Sequence, residues 1–237
     1  AYPFEAEEQE TLLYYTSLQN ATISVKNDIM STYKNAMNNG AENYTAYNNQ
    51  KDPYLAHIKD YTWASNNIKM RKGLMYQNMI TYQVNPSNDN KAKNASEGYI
   101  HYLHGVNPNS KCYLSNMKSY GAENSVSSFY HTWFHDGSAL WDEVGVSTYG
   151  PAPGFVVGGA NPKYNVDACC PNGCGSATNN AKCNEDVSRV VGQPDQKSYM
   201  DFNTSWPINS WEVTENSCSY QSSYIRLLAK FISSSYD

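Results

Sequence analysis

Charged side chains are scarce in this 237-residue chain, at 16%, and neither sign gathers into a block. The 17 basic residues, set against 22 acidic ones, form no cluster able to follow a phosphate backbone, so nucleic acid is excluded as a partner. There is no apolar run of about 18 residues, so no membrane-spanning helix and no membrane partner are expected. No basic, apolar leader opens the sequence either. It begins at Ala1-Tyr2-Pro3-Phe4, as though preceding residues were removed or belong elsewhere. Repeats of solenoid length are missing, and from Val106 to Ser210 regular periodicity nearly vanishes.

Asn, Ser, Thr and 21 Tyr fill the positions that charge leaves vacant. Such a surface suits neutral, hydroxyl-rich ligands, because aromatic rings cover the apolar faces of sugar rings and amides pair with their hydroxyls. Many secreted proteins share this composition whatever they bind, so it points only broadly to carbohydrate. Four of the six cysteines, Cys169, Cys170, Cys174 and Cys183, crowd into a Pro/Gly/Asn-rich stretch that reads as a disulfide-stapled loop of a secreted, extracellular protein. Zinc is the rival reading, but paired C-x-x-C knuckles are missing. Cys112 and Cys218 are free to pair with each other or with the cluster. Asn20, Asn43, Asn94 and Asn203 stand in glycosylation sequons, a frequent coincidence in an Asn-rich chain.

The first hundred residues or so read as amphipathic helices. Val25, Ile29, Tyr33 and Met37 recur at helical spacing until Asn38-Asn39-Gly40, and Leu55, Ile58 and Tyr61 repeat the pattern after Pro53. Residues 67–83 carry Met75, Met79 and Tyr82 on one face, and residues 89–104 carry Ala92, Ala95, Tyr99 and Leu103. From about Val213 a closing helix is expected, with Tyr220, Tyr224, Leu227, Leu228 and Phe231 on one stripe. Asn209 and Glu212 would form a capping box at its start.

Four motifs, in order, resemble glycoside hydrolase family 9. Tyr61-Thr62-Trp63-Ala64-Ser65-Asn66 is similar to a W-G-S-N helix start, and Tyr102-Leu103-His104-Gly105-Val106-Asn107-Pro108 to a Y-L-x-G-x-N-P helix exit. Pro153-Gly154-Phe155-Val156-Val157-Gly158-Gly159-Ala160-Asn161 resembles the P-G-x-L-V-G-G-P-N loop, and Glu215-Asn216-Ser217-Cys218-Ser219-Tyr220-Gln221 the acid-bearing final helix. The resemblance implies a mainly α fold. The 237 residues would be the C-terminal portion of a single (α/α)6 barrel catalytic domain, with a long, disulfide-stapled irregular loop region and with the N-terminal half absent from this chain. It also implies an inverting β-1,4-glucanase of the cellulase type, acting on cellulose or related β-glucans with no required cofactor.

Three glutamates compete for the role of acid. Glu185 belongs to an Asn-Glu pair, but Gly192 and Pro194 follow before a useful helix can form. Glu212 and Glu215 both open the expected final helix, where the helix dipole alone would favour a glutamate. The family pattern selects Glu215, since Gln221, Leu228 and Ala229 then fall at the family's spacing and Trp211 stands where an aromatic residue is usual. His131, Trp133 and Trp211 are the candidate sugar-contacting residues. The family's H-H-R motif survives here as Tyr130-His131-Thr132-Trp133-Phe134-His135-Asp136, without its arginine.

No D-x-x-D or D-A-G-D motif offers a catalytic base, and Asp136, Asp142 and Asp201 do not match the family pattern. The resemblance therefore implies a companion N-terminal segment or chain carrying the base. A non-hydrolytic glycan-binding protein derived from a hydrolase half is the alternative. No catalytic metal ligand is indicated, although Asp167 and nearby carbonyls offer oxygens to a structural Ca²⁺.

Overall fold

The computed structural model describes residues 2–131, 134, 136–170, 173 and 175–232. Two compact units emerge: a helical one drawn from Ala1–Lys59, Ile68–Tyr102 and Ser222–Asp237, and a loop-rich one drawn from Asp60–Asn67 and Leu103–Gln221.

The helical unit holds α1 (Ala6–Thr16), α2 (Ile23–Asn39), α3 (Tyr44–Asn48) and most of α4 (Ser65–Thr81) and α5 (Asp89–Leu103). On α2 only the C-terminal part of the apolar stripe is buried, through Tyr33 and Met37, while Val25 stays exposed. The expected stripe of α5 is buried throughout, at Ala92, Ala95 and Tyr99. Helix α4 differs from the amphipathic reading because it is covered on almost every side.

Burial all round forces the polar residues of α4 to find partners inside. Lys69 donates to the Ala56 carbonyl at 2.5 Å, lies 3.8 Å over the Tyr102 ring and stands 4.0 Å from Asp52. Lys72 donates to Asn43, and the Tyr33 hydroxyl donates to the Met75 carbonyl at 2.9 Å.

The helix expected from Leu55 to Tyr61 does not form. Asp52 takes the Tyr54 N–H on its side chain at 2.9 Å and the Leu55 N–H on its carbonyl at 3.0 Å, and Leu55 adopts a positive φ of 57°. The left-handed Leu55 ends any helix at that point, while Ala56 and Ile58 are still buried.

The loop-rich unit is ordered by polar hubs and rings instead of regular structure. Strand β1 (Cys112–Ser115) pairs in parallel with β2 (Ser125–Val126), and Leu114 bridges antiparallel to Val156. Asp201 accepts from Lys111 at 2.7 Å, from the Ser127 N–H at 3.0 Å and from the Tyr199 hydroxyl at 2.9 Å. Phe129 packs against Phe134 and Phe155, with ring centres 4.8 and 5.8 Å apart. These bonds pin the backbone where periodicity is absent.

The stapled loop is present. Cys170 is bonded to Cys183 across the short helix α6 (Ala177–Lys182), and Cys169 is also disulfide-bonded. Cys174 lies outside the described residues. Cys112 and Cys218, open candidates for pairing, are both free thiols, the first buried and the second exposed. The Asp167 oxygens are already engaged, one by the Trp206 indole N–H at 2.8 Å and the other by the Cys169 N–H at 3.0 Å. Among the described residues no group of three or more His, Cys, Asp or Glu is arranged to hold a metal.

The buried lysines set a pH dependence. Burial lowers Lys69 to about 7 and Lys72 to about 8, opposed by Asp52 and Glu42 respectively. Between those values and the ordinary lysine value of about 10.4, the unfolded chain binds more protons than the folded one, so stability rises with pH and is lost as pH falls. Urea-unfolding midpoints should climb between about pH 7 and pH 9, and Lys69→Met should flatten the climb. A wild-type midpoint that is level or falling over that range contradicts this account.

Candidate functional site

Glu215 stands on the connection between two helices, not at the start of the last one. Helix α7 (Trp211–Thr214) is a single turn and α8 (Cys218–Leu228) begins three residues after Glu215, which is itself extended at φ −59° and ψ 141°. The expected capping box is also absent: Asn209 gives only its carbonyl to the Glu212 N–H, and its side-chain oxygen is buried without a hydrogen-bond partner. The helix dipole therefore does not account for a glutamate here.

What fixes Glu215 is the loop carrying the two adjacent glycines. The Gly159 N–H donates to the Val213 carbonyl at 2.8 Å, and the Asn161 side-chain amide donates to the Glu212 carbonyl at 3.1 Å. On its other side the same loop receives Asn66. The Asn66 backbone N–H donates to the Gly158 carbonyl at 2.9 Å, and its side-chain amide donates to the Val157 carbonyl at 3.0 Å.

Side chains at the two glycines would break this clamp. A Cβ on Gly158 would fall 2.8 Å from the Val213 carbonyl oxygen, and one on Gly159, whose φ is +96°, would fall 2.5 Å from the Asn66 side chain. The residue types of the Gly-Gly loop and of the Trp-Ala-Ser-Asn stretch are thus explained together, since each is the other's partner.

A second set of bonds brings His131 to the same place. The Thr214 hydroxyl donates to the Phe202 carbonyl at 2.7 Å and accepts the Tyr130 N–H at 3.2 Å, while the Tyr130 and Trp211 rings meet edge-on at 5.1 Å. Burial pushes the Glu215 carboxyl above the ordinary glutamate value. Two neighbours, the charge of His131 and the polar edge of the Trp63 side chain, pull it back. Trp63 is the residue that sequence reasoning did not single out as functional. It stands in a motif used for resemblance, but only the clamp ties that motif, through Asn66, to the glycines that bind the Val213 carbonyl.

The remaining candidates separate. Trp211 precedes Glu215 by one helical turn and donates no side chain to the clamp, and Trp133 lies outside the described residues. Burial also raises Glu212, and it raises Glu185 against the opposing charge of Lys182, so the direction of the shift does not by itself distinguish the three glutamates. Of the three, it is Glu215 that feels Trp63 and His131. Asp136 pairs with Lys182 at 2.6 Å, Asp142 accepts from Asn203 and from the Gly137 N–H, both at 2.8 Å, and Asp201 is the hub described above. Each aspartate is thus engaged in holding the loop.

The family model described as glycosyl hydrolase family 9 matches residues 5–228. The chain is similar to the solved structure of AaCel9A in complex with cellobiose-like isofagomine, at 19% identity and a TM-score of 0.65, covering 93% of this chain and 34% of that one. It is also similar to a single mutant of a thermostable endoglucanase from Alicyclobacillus acidocaldarius, at 18% identity and a TM-score of 0.65, covering 94% and 35%. A metagenome-derived glycoside hydrolase family 9 endoglucanase follows at 17% identity and a TM-score of 0.60, covering 93% and 32%. The chain spans about a third of the length of these structures. At such identities the likeness speaks to the fold, which is mainly α and part of an (α/α)6 barrel. No curated protein sequence is significantly similar.

The clamp makes a direct prediction. Gly159→Ala forces a side chain into a left-handed backbone and against Asn66, so it should cost about 3 kcal/mol in denaturant unfolding. Gly154→Ala, also at positive φ but facing open space, should cost only about 1 kcal/mol. Equal losses would mean that the contact with Asn66 does not hold the site.

Proposed function

Because this chain belongs to glycosyl hydrolase family 9, with the match spanning residues 5–228, we propose that it supplies the general acid of an inverting β-1,4-glucanase and that Glu215 is that acid. The observation that carries this reading is the convergence of Trp63, His131 and the Gly158-Gly159 clamp on one half-buried carboxyl.

A glycosidic oxygen leaves only if a proton reaches it as positive charge develops on the sugar, and a carboxyl lifted by burial keeps that proton nearer neutral pH. Inversion needs a second carboxylate about 6.5–9.5 Å away to activate a water on the opposite face. Asp136, Asp142 and Asp201 are each bonded within the loop-rich unit, so the base is assigned to a companion N-terminal segment of the same catalytic domain. Exposed apolar side chains on α1 and α2, such as Leu12 and Ile23, and Ile225 on α8, are where its helices would pack.

The substrate assigned to this site is cellulose or a related β-glucan. Trp211 and Trp133 would offer stacking faces and His131 a donor to a sugar hydroxyl. Disulfides at Cys169, Cys170 and Cys183 support a secreted enzyme, and no described helix is long and apolar enough to cross a membrane. The engagement of all three candidate aspartates favours the second reading, a glycan-binding protein without hydrolysis.

Glu215→Gln separates the two readings in the complete catalytic domain. It keeps shape and hydrogen-bonding reach but has no proton to give, so turnover on unactivated β-1,4-glucan should fall about 10²–10⁴-fold while binding survives. A dinitrophenyl glycoside, whose leaving group needs little protonation, should lose much less. Glu185→Gln and Glu212→Gln should stay active. Hydrolysis that survives in Glu215→Gln but disappears in Glu185→Gln would assign the acid elsewhere, and a wild-type domain that binds glucan without cleaving it would establish the binding protein.

A further inference from the structure

We propose that Trp206 is a further sugar-binding residue: its exposed indole ring, pinned through its N–H, offers a stacking face to a glucose unit of the β-glucan beyond the pair that flanks the bond being cut. This rests on the reading of the substrate as a β-glucan and extends it to a residue outside the motifs that carry the family resemblance.

Trp206 stands at the tip of a closed turn. The Ser210 N–H and hydroxyl both donate to the Thr204 carbonyl, at 3.1 and 2.6 Å, and the Thr204 hydroxyl donates to the Ile208 carbonyl at 2.7 Å. Just before the turn, the buried Asn203 side chain donates to the Asp142 carboxylate at 2.8 Å. The turn leads directly into α7, which ends beside Glu215, so the ring is carried on the backbone that presents the acid.

A second support comes from the cysteine loop. The Trp206 indole N–H donates to one Asp167 oxygen at 2.8 Å, and the other accepts the Cys169 N–H at 3.0 Å. The Asp167 N–H donates to the Pro207 carbonyl at 3.2 Å, and the Asp167 carbonyl accepts the N–H of Cys170, which is bonded to Cys183. These bonds hold the ring in place, yet it is 41% exposed while Pro207 and Ile208 beside it are buried. Core packing does not account for it.

An indole has one hydrogen-bond donor and no acceptor, and Asp167 occupies that donor. What Trp206 offers a ligand is therefore its π face alone. A matching ligand presents an apolar face and asks no hydrogen bond of the ring, as the C–H face of a glucopyranose does. A ring already held in place loses little freedom on binding, so its contact is not spent on ordering. The supports of the two places differ, since the Glu215 segment is bonded to the Gly158-Gly159 loop and Trp206 to Asp167. The ring thus serves a sugar further along the chain, and its contribution grows with ligand length.

Calorimetric binding of a thio-linked, non-hydrolysable β-1,4-glucan hexasaccharide to the complete catalytic domain tests this without depending on the acid. Trp206→Ala should weaken the hexasaccharide about three- to tenfold and the matching disaccharide less than about twofold. Trp206→Phe, which keeps a ring, should bind the hexasaccharide more tightly than Trp206→Ala does. Trp206→Leu fills space without a π face and should show the same selective loss as Trp206→Ala; it decides the matter if Trp206→Ala fails to fold. Hexasaccharide affinity equal to wild type in the Ala or Leu variant would overturn the proposal and leave the β-glucan reading standing. Equal losses on both ligands, with a lowered urea midpoint, would make Trp206 only a staple of the loop and overturn it as well. A wild-type domain that binds neither ligand would defeat the β-glucan reading and the proposal together.

Discussion

The hydrogen bond from the Gly159 N–H to the Val213 carbonyl is the constraint on which the site depends. It ties a loop without periodicity to a one-turn helix too short to hold itself, since a single turn fixes several dihedrals for very few bonds. Gly158 passes the same registration on to Asn66. Remove it, and Trp63 and Glu215 lose their common reference, because the residues between them in sequence form no element that spans both.

Irregular backbone can be this well ordered because its polar groups are satisfied one by one. Asp201, Thr214 and Asn161 each take several partners, and their bonds replace the ladder that a sheet would provide. The same economy engages Asp136, Asp142 and Asp201 in holding the loop. The helical unit solves a different problem. It covers α4 so completely that two lysines must be accommodated inside, at the cost of proton affinity that each would have in water.

Periodicity revealed the elements that bury a single stripe. Helices α2 and α5 were readable because Met37 and the Ala92-Ala95-Tyr99 face repeat at helical spacing. The stretch after Pro53 carried the same spacing and formed no helix, because Leu55 turns to a left-handed φ of 57°. The break between α7 and α8 was equally hidden, since Val213 and Tyr220 continue one apolar register across it. The choice of Glu215 rests on the spacing of Gln221, Leu228 and Ala229, a family pattern that does not depend on where the helix begins. The registration of Asn66 and Val213 on the same two glycines was not legible, since no local signal marks a bond made by a loop elsewhere in the chain. Cys112 and Cys218 show the same limit: counting thiols could not reveal that one is buried and the other exposed.

A crystal structure of the complete catalytic domain bearing a non-hydrolysable β-1,4-linked oligosaccharide tests the central claim most directly. The account predicts that a Glu215 carboxyl oxygen lies about 2.6–3.2 Å from the oxygen joining two sugars. Finding that bridging oxygen beside Glu185 or Glu212, with Glu215 remote from the sugar chain, would contradict it.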